Sequence, residues 1–288
     1  MKTFKLRGQI KAYIKTLKQC NKTIGFVPTM GALHPGHISL MEKAKHENDI
    51  LVCSIFVNPA QFNDKTDYKN YPRTLDKDIE KLNATGCDVL FIPSEEEMYP
   101  GGSDELTNAG VVDLGHLDKV MEGKYRPGHF KGVSVIVSKL FDIIKPDAAY
   151  FGEKDYQQLV IIRHLVKTLK LPVKILGCPT IREDNGLAMS SRNELLSQEE
   201  RKKAAVIHRV LSGVREKAAG LSVNELKQWV QQQINDNPPL QLQYFEIADS
   251  KALLPVEKWD ETNEVVACIA VFAGKIRLID NIVFRSLA

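Results

Sequence analysis

The residues best suited to chemistry in this chain lie in Pro28-Thr29-Met30-Gly31-Ala32-Leu33-His34-Pro35-Gly36-His37. Two imidazoles stand three positions apart, with a glycine before the second. Gly36 lets backbone approach a ligand closely. Where a strand gives way to a helix, exposed N–H groups and the positive end of the helix dipole favour an anion. His34 and His37 can then donate to phosphate oxygens, and such bonds strengthen as charge develops in a transition state. The same spacing also suits a bound metal or a simple helix cap, so the local pattern leaves three readings open.

Three further clusters carry polar groups. In Phe151-Gly152-Glu153-Lys154-Asp155-Tyr156-Gln157-Gln158, Lys154 is a mobile cation suited to phosphate. Glu153 or Asp155 offers a carboxylate for Mg²⁺ or ribose hydroxyls, and Gln158 falls one helical turn along on the same side. The alternative is a capped helix, with Asp155 as the cap and Lys154 as an exposed charge. Met189-Ser190-Ser191-Arg192-Asn193 brings two hydroxyls and a guanidinium to a polar loop, as a clamp on departing pyrophosphate requires, although serine-rich loops are commonplace. In Asn58-Pro59-Ala60-Gln61-Phe62, Gln61 either reads a hydroxyl or carboxylate with its amide or is an ordinary loop glutamine.

Elements of alternating period must position these clusters. Apolar runs predict strands at Thr23 to Pro28, Ile50 to Val57, Val89 to Ile92, Ala148 to Phe151 and Val173 to Cys178. Helical stripes lie between them: His37 to about Asn48; Leu75, Ile79 and Leu82 with Gly86 as stop; Val133 to Ile144; and Leu159 to Leu169. Strands that are apolar on both faces and separated by helices predict a doubly wound, Rossmann-like parallel α/β sheet, with ligands at the carboxyl ends of its strands. The pattern changes near Pro179. Helices at about Gln198 to Ala219 and Ser222 to Asn235 precede strands at Gln241 to Ala248, Val265 to Ala273 and Ile276 to Phe284, with a hairpin turn at Gly274-Lys275. The reading is a first domain over residues 1–180 and a smaller α+β domain over 181–288.

Composition narrows the class. The chain has 288 residues, 43% hydrophobic and 26% charged, as in an ordinary folded protein of about two domains. Its longest apolar run, the nine residues Val265 to Ala273, is well short of the ~20 that a membrane helix needs. The start, Met1-Lys2-Thr3-Phe4-Lys5-Leu6-Arg7, is charged where an export signal would be apolar, so a cytoplasmic protein is expected. Five scattered cysteines without a CxxC pair argue for buried, reduced thiols rather than disulfides or zinc. Net charge is +3, yet residues 1 to 22 hold seven Lys/Arg and no acid, so the remainder is acidic, with 36 acidic against 32 basic side chains. Ile10, Tyr13, Ile14 and Leu17 form one face of that segment and Lys11, Lys15, Lys18 and Lys22 another. That pattern predicts an amphipathic surface helix rather than a nucleic-acid arm or transit peptide.

Taken in order, PTMGALHPGH (28 to 37), FVNPAQF (56 to 62), YPRTLDKD (71 to 78), RPGHFKGV (126 to 133), FGEKDYQQL (151 to 159), REDNGLAMSSRN (182 to 193) and RLIDNI (277 to 282) closely resemble the pantothenate synthetase (pantoate–β-alanine ligase) family. That family belongs to the HxGH nucleotidyltransferases related to class I aminoacyl-tRNA synthetases. The resemblance covers essentially the whole chain. It implies ATP-dependent condensation of pantoate with β-alanine through pantoyl adenylate, releasing pyrophosphate and then AMP. By position it puts Met30, Gly31, Ala32, Leu33, His34, Pro35, Gly36 and His37 on ATP, with His34 and His37 at the phosphates and His37 as the catalytic residue. It places Gly152, Glu153, Lys154 and Asp155, and Met189, Ser190, Ser191 and Arg192, on ATP as well, and Ile181 beside the adenine through its backbone. Gln61 and Gln158 would hold pantoate, Asp76 (with Asp78 close by) would be the Mg²⁺-associated acid, and the assembly would be a homodimer. The chemistry suits this: bringing two anions together and stabilising pyrophosphate needs cations, imidazoles and Mg²⁺ more than a protein nucleophile, so His34, His37 and Lys154 are the expected catalytic groups.

Three other readings compete, one of them an inactive scaffold that keeps the fold without catalysis, which leaves four intact clusters at one sheet edge unexplained. A nucleotidyltransferase acting on a phosphate-bearing acceptor would use the same HxGH site, but Gln61 and Gln158 are neutral groups better suited to a small hydroxy acid. An RNA-binding synthetase relative would need more basic surface than the chain after residue 22 provides, so small-molecule partners are expected, and neither nucleic acid nor membrane.

Overall fold

The computed structural model describes residues 1–63, 65–102 and 112–285. They form two compact units, Met1–Glu153 with Gln158–Pro179, and Lys154–Gln157 with Thr180–Ala288.

In the first unit, six strands among the described residues form one parallel sheet: β1 (Lys2–Phe4), β2 (Ile24–Thr29), β3 (Ile50–Ile55), β4 (Val89–Phe91), β5 (Ala148–Gly152) and β6 (Lys174–Cys178). Their order is β1-β4-β3-β2-β5-β6. Every pairing is parallel, so all carboxyl ends share one edge. From β2 the chain winds outward through β3 and β4, then returns to the other side of β2 as β5. The order therefore reverses between β2 and β5, where the register sets Gly25 opposite Ala148 and Phe26 opposite Ala149. In a doubly wound sheet, that reversal is where a crevice opens for a ligand. The β-branched and apolar runs of β2 and β3 are buried because helices cover both faces. Phe26, Leu51, Val52, Leu90 and Phe91 are fully enclosed, each contributing about 1.5–3 kcal/mol by leaving water.

The strongly buried helix His129–Ile144 follows from its apolar run, Val133-Ser134-Val135-Ile136-Val137, which reads apolar nearly all round. It begins four residues before the expected Val133, because His129 and Phe130 are also drawn inside. The basic N-terminal segment holds the expected amphipathic helix, preceded by a short strand. Lys2–Phe4 pairs with β4 as an edge strand, and the helix runs over Arg7–Gln19 with Ile10 and Ile14 inward. Its lysines find acids: Lys11 reaches Asp142 at 2.7 Å, Lys18 reaches Asp147 at 2.6 Å and Lys22 reaches Asp49 at 3.2 Å.

The second unit packs the helices Gln198–Lys217 and Val223–Asn235 on an antiparallel sheet of β7 (Leu240–Asp249), β8 (Glu264–Ala273) and β9 (Ile276–Arg285). Ser197 with Glu200 and Ser222 with Glu225 form reciprocal capping boxes that start the two helices. Gly274, at φ 58°, turns β8 into β9 as the Gly-Lys pair predicts. Among the described residues, no helix is long and apolar enough to cross a membrane.

Candidate active site

Thr29 ends β2, and the chain reverses through Gly31 (φ 81°) and Ala32 (φ 50°) before the helix Pro35–Glu47. Glycine is required at position 31, since a Cβ there would lie 3.1 Å from both Asp78 Oδ2 and Ile55 Cγ2 on a left-handed backbone. The helix starts two residues earlier than expected. His34 is its N-cap and Pro35 its first residue, where the missing N–H costs nothing.

The two histidines cap the helix reciprocally. His34 Nδ1 accepts from the Gly36 N–H at 3.2 Å, and His37 Nδ1 accepts from the His34 N–H at 3.3 Å. Their rings lie 4.0 Å apart, centre to centre. Because each Nδ1 is an acceptor, the neutral tautomer of each ring carries its proton on Nε2, which is then a donor. Capping and ligand binding, separate alternatives in the sequence, are thus compatible uses of one ring's two nitrogens.

The backbone cradle expected here is not what the structure shows. From Gly31 to His37, every backbone N–H already has a protein acceptor. Gly31 donates to Thr29 Oγ1 at 3.2 Å, Ala32 to Asp78 Oδ2 at 2.9 Å and Leu33 to Asp78 Oδ1 at 2.8 Å. His37 donates to the His34 carbonyl at 2.8 Å, and Pro35 has no N–H. What this loop offers an anion is therefore imidazole and helix dipole rather than a nest of bare amides.

Asp78, 1% exposed, sits in the first turn of the helix Leu75–Ala84 and also accepts from Thr74 Oγ1 at 3.3 Å. Asp76, two residues earlier, is exposed. The two acids suggested for Mg²⁺ thus divide: Asp78 is committed to shaping the loop, and Asp76 remains at the surface. Among the described residues, no group of three or more His, Cys, Asp or Glu is arranged to hold a metal unaided.

Gln61 closes the short 3-10 turn Pro59–Gln61 just past β3 and is 8% exposed. Its Nε2 lies 2.7 Å from Met30 Sδ, which ties it to the first cluster. Residues that sequence reasoning left without a role fix it in place. Asn58 Nδ2 donates to Gln61 Oε1 at 3.3 Å and to the Gly132 carbonyl at 3.1 Å, while Tyr99 donates to Asn58 Oδ1 at 2.7 Å. His129 Nδ1 is 2.8 Å from the Gln61 carbonyl, so that nitrogen is the donor, and Nε2 accepts from Arg126 Nη1 at 3.1 Å. Gly132 makes the approach possible. A Cβ there would stand 2.2 Å from the Ala60 carbonyl oxygen. The motif RPGHFKGV thus acts as scaffold to Gln61, a role visible in sequence only as an unexplained Arg, His and Gly.

Gly152 ends β5 at the same edge, with Glu153 next, and Gln158 stands half-buried in the first turn of the helix Tyr156–Thr168. In the second unit, Lys154 Nζ lies 3.6 Å from Asp155 Oδ1 with its side chain 17% exposed. Ile181 and Met189 are joined directly, the Met189 N–H donating to the Ile181 carbonyl at 2.9 Å. Ser190 caps the 3-10 turn Ser191–Leu195 by accepting from the Arg192 N–H at 3.3 Å. Glu183 braces this loop, accepting from Arg201 Nε at 2.9 Å and Asn193 Nδ2 at 2.8 Å. The Arg201 guanidinium holds its carboxyl below the usual carboxylate range.

Cys53, Cys87 and Cys178 lack the environment of an activated nucleophile. Burial pushes the Cys53, Cys87 and Cys178 thiols up, Cys87 to about 11. All five are free, and Cys20 is exposed rather than buried as expected, because it caps the surface helix Arg7–Gln19.

A doubly wound parallel sheet with an HxGH loop at its switch point defines a Rossmann-like α/β protein. The family model for pantoate-β-alanine ligase matches residues 2–283. The pantothenate synthetase of Porphyromonas gingivalis is 48% identical over 285 residues, covering 99% of this chain and 100% of the relative; that of Bacteroides fragilis is 49% identical, covering 99% of each. The crystal structure of pantothenate synthetase from Thermus thermophilus superposes with a TM-score of 0.89 at 43% identity, over 98% of this chain and 99% of that one. Pantoate-β-alanine ligase from Francisella tularensis, crystallised with β-γ ATP and β-alanine, superposes with a TM-score of 0.79 at 40% identity, over 98% of this chain and 97% of that one. This chain belongs to the pantoate-β-alanine ligase family.

Proposed function

We propose that this chain is an enzyme that condenses pantoate with β-alanine to pantothenate in two steps at the switch-point edge. In the first, a pantoate carboxylate oxygen attacks the α-phosphorus of ATP; the bond to the bridging oxygen breaks, giving pantoyl adenylate and pyrophosphate. In the second, the amine of β-alanine attacks the activated carbonyl, AMP departs, and the amine loses a proton as the amide forms.

The observation that carries this reading is the reciprocal cap of His34 and His37, which assigns both Nε2–H groups as donors at the N-terminus of a 13-residue helix. Donors of this kind match the charge that gathers on the leaving pyrophosphate. His34 and His37 stabilise that charge, with His37 the catalytic residue, and Lys154 adds a mobile cation. Met30 to Gly36, Gly152, Glu153, Asp155, Ile181 and Met189 to Arg192 contact ATP. Gln61 and Gln158 hold pantoate through neutral amides, which orient a hydroxy acid without neutralising the carboxylate that must attack.

ATP brings Mg²⁺, for which Asp76 is the suited protein ligand. One exposed carboxylate fits an ion that keeps waters and substrate phosphates in its shell, whereas Asp78 has its oxygens committed. Mg²⁺ supplies charge neutralisation to the phosphates when bound. The chain works as a cytoplasmic homodimer in which residues 1–180 and 181–288 act as the two domains.

Pyrophosphate release from Mg-ATP, followed with pantoate alone, with pantoate plus β-alanine and with neither, tests the proposal. Pantoate-dependent pyrophosphate and adenylate, then pantothenate and AMP once β-alanine is added, are expected. Absence of pantoate-dependent turnover in folded, ATP-binding protein overturns the substrate assignment.

A further inference from the structure

We infer that Asn281 is a positioning residue for the first half-reaction, its side-chain Nδ2 donating to the Lys154 carbonyl at 2.8 Å and so setting where the lysine ammonium stands. The inference rests on the reading of Lys154 as the phosphate-facing cation.

The segment Lys154–Gln157 groups with the second unit, although the residues on either side of it in sequence belong to the first. Two hydrogen bonds tie the segment to the rest of that unit. One is the Asn281 bond to the Lys154 carbonyl; the other runs from the Tyr156 hydroxyl to the Ser250 carbonyl, 3.0 Å long and buried. A lysine side chain has four rotatable bonds, so the reach of its ammonium depends on where the backbone is anchored. Here that anchor is provided by β9 and by the end of β7.

Asn281 is itself held stiffly. It pairs with Cys268 across the β8–β9 ladder, is 8% exposed, and donates its own N–H to Asp280 Oδ1 at 2.8 Å. Asp280, 5% exposed, receives Arg182 in a two-pronged pair, Nη1 to Oδ2 at 2.6 Å and Nη2 to Oδ1 at 3.0 Å. Arg182 also donates to the Gly186 carbonyl at 3.1 Å, closing the small hairpin in which Arg182 faces Ala188. Neighbouring strand residues project to opposite faces. One face of β9 therefore grips the loop leading to Met189–Arg192, and the other grips Lys154. Asp and Asn are poor strand formers, and burying them side by side costs β-propensity and desolvation, which the bonds to Arg182 and to the Lys154 carbonyl offset. Holding Lys154 in place gives this RLIDNI segment a purpose.

The test uses the full chain and two assays: pantoate-dependent ATP–pyrophosphate exchange for the first half-reaction, and aminolysis of supplied pantoyl adenylate by β-alanine for the second. Asn281→Asp keeps the shape but removes the donor. It is expected to lower the kcat of exchange about tenfold or more while leaving aminolysis within about twofold. In a Lys154→Ala background the same change should add nothing, the signature of action through Lys154. Tyr156→Phe, which removes the second tether, should slow exchange by about two- to fivefold, and it carries the test if Asn281→Asp does not fold.

Exchange at the wild-type rate in both tether variants, equal losses in both half-reactions, or full additivity with Lys154→Ala overturns the inference alone. A wild-type chain without pantoate-dependent exchange overturns the functional reading and this inference with it.

Discussion

Asp78 accepts the backbone N–H of Leu33 on Oδ1 at 2.8 Å, and its other oxygen takes that of Ala32 at 2.9 Å, so one buried carboxylate shapes the loop that delivers both histidines. Asp78→Asn turns an acceptor into a donor facing an N–H and should cost about 2–3 kcal/mol of stability, read by denaturant unfolding. Asp76→Asn, at an exposed position, should change stability by no more than about 0.5 kcal/mol but raise the Mg²⁺ concentration needed for turnover. Equal destabilisation by the two substitutions contradicts this division.

The cap and the chemistry of His34 separate by substitution. Asparagine is a good N-cap, so His34→Asn should hold unfolding free energy within about 0.5 kcal/mol while His34→Ala loses about 1 kcal/mol. Both should slow adenylate formation by roughly a hundredfold, because both remove the Nε2 donor. A His34→Asn enzyme with wild-type exchange would show that the ring serves only the helix.

Gly132 admits the helix His129–Ile144 against the turn that carries Gln61, with no room for a methyl group. Gly132→Ala should destabilise by about 1–3 kcal/mol through overpacking. Displacing Ala60 and Gln61 should also raise the KM for pantoate more than that for ATP. Steady-state kinetics against each substrate, at a temperature where the variant is folded, would distinguish this from general damage.

Glu183 predicts a pH dependence of stability. Its folded-state carboxyl is held below 4.5 by Arg201, so the unfolded chain takes up the proton first as pH falls. The contribution is complete above the unfolded value and is lost as pH falls from about 4.5 through the lower folded one. Glu183→Gln should remove this part of the acid slope, so the Tm difference between variant and wild type should narrow between pH 6 and pH 3. A constant difference across that range argues against it.

Much of this was legible in the residues. The β-branched runs, helical stripes and stop signals fixed five of the six parallel strands and the change of architecture near Pro179, because period and burial are local consequences of composition. The edge strand Lys2–Phe4 was not legible, since three residues with a charge have no strand signature until β4 lies alongside. Pro35 and the two histidines marked the candidate site, but reciprocal capping depends on φ, ψ and ring orientation, which no spacing reveals.

By itself, the sequence determined the family: an HxGH loop after an apolar strand, Gln61 after the next, and Lys154 after a third stand in an order specific enough to identify it. The tertiary structure decided what each of them is attached to. Asp78 rather than solvent takes the loop amides, His129 and Gly132 seat Gln61 from 68 and 71 residues away, and Asn281 reaches the Lys154 carbonyl across 127 positions of chain. Hydrogen bonds between residues so far apart leave no periodic trace, because their partners are chosen by the order of strands and the packing of helices rather than by local propensity.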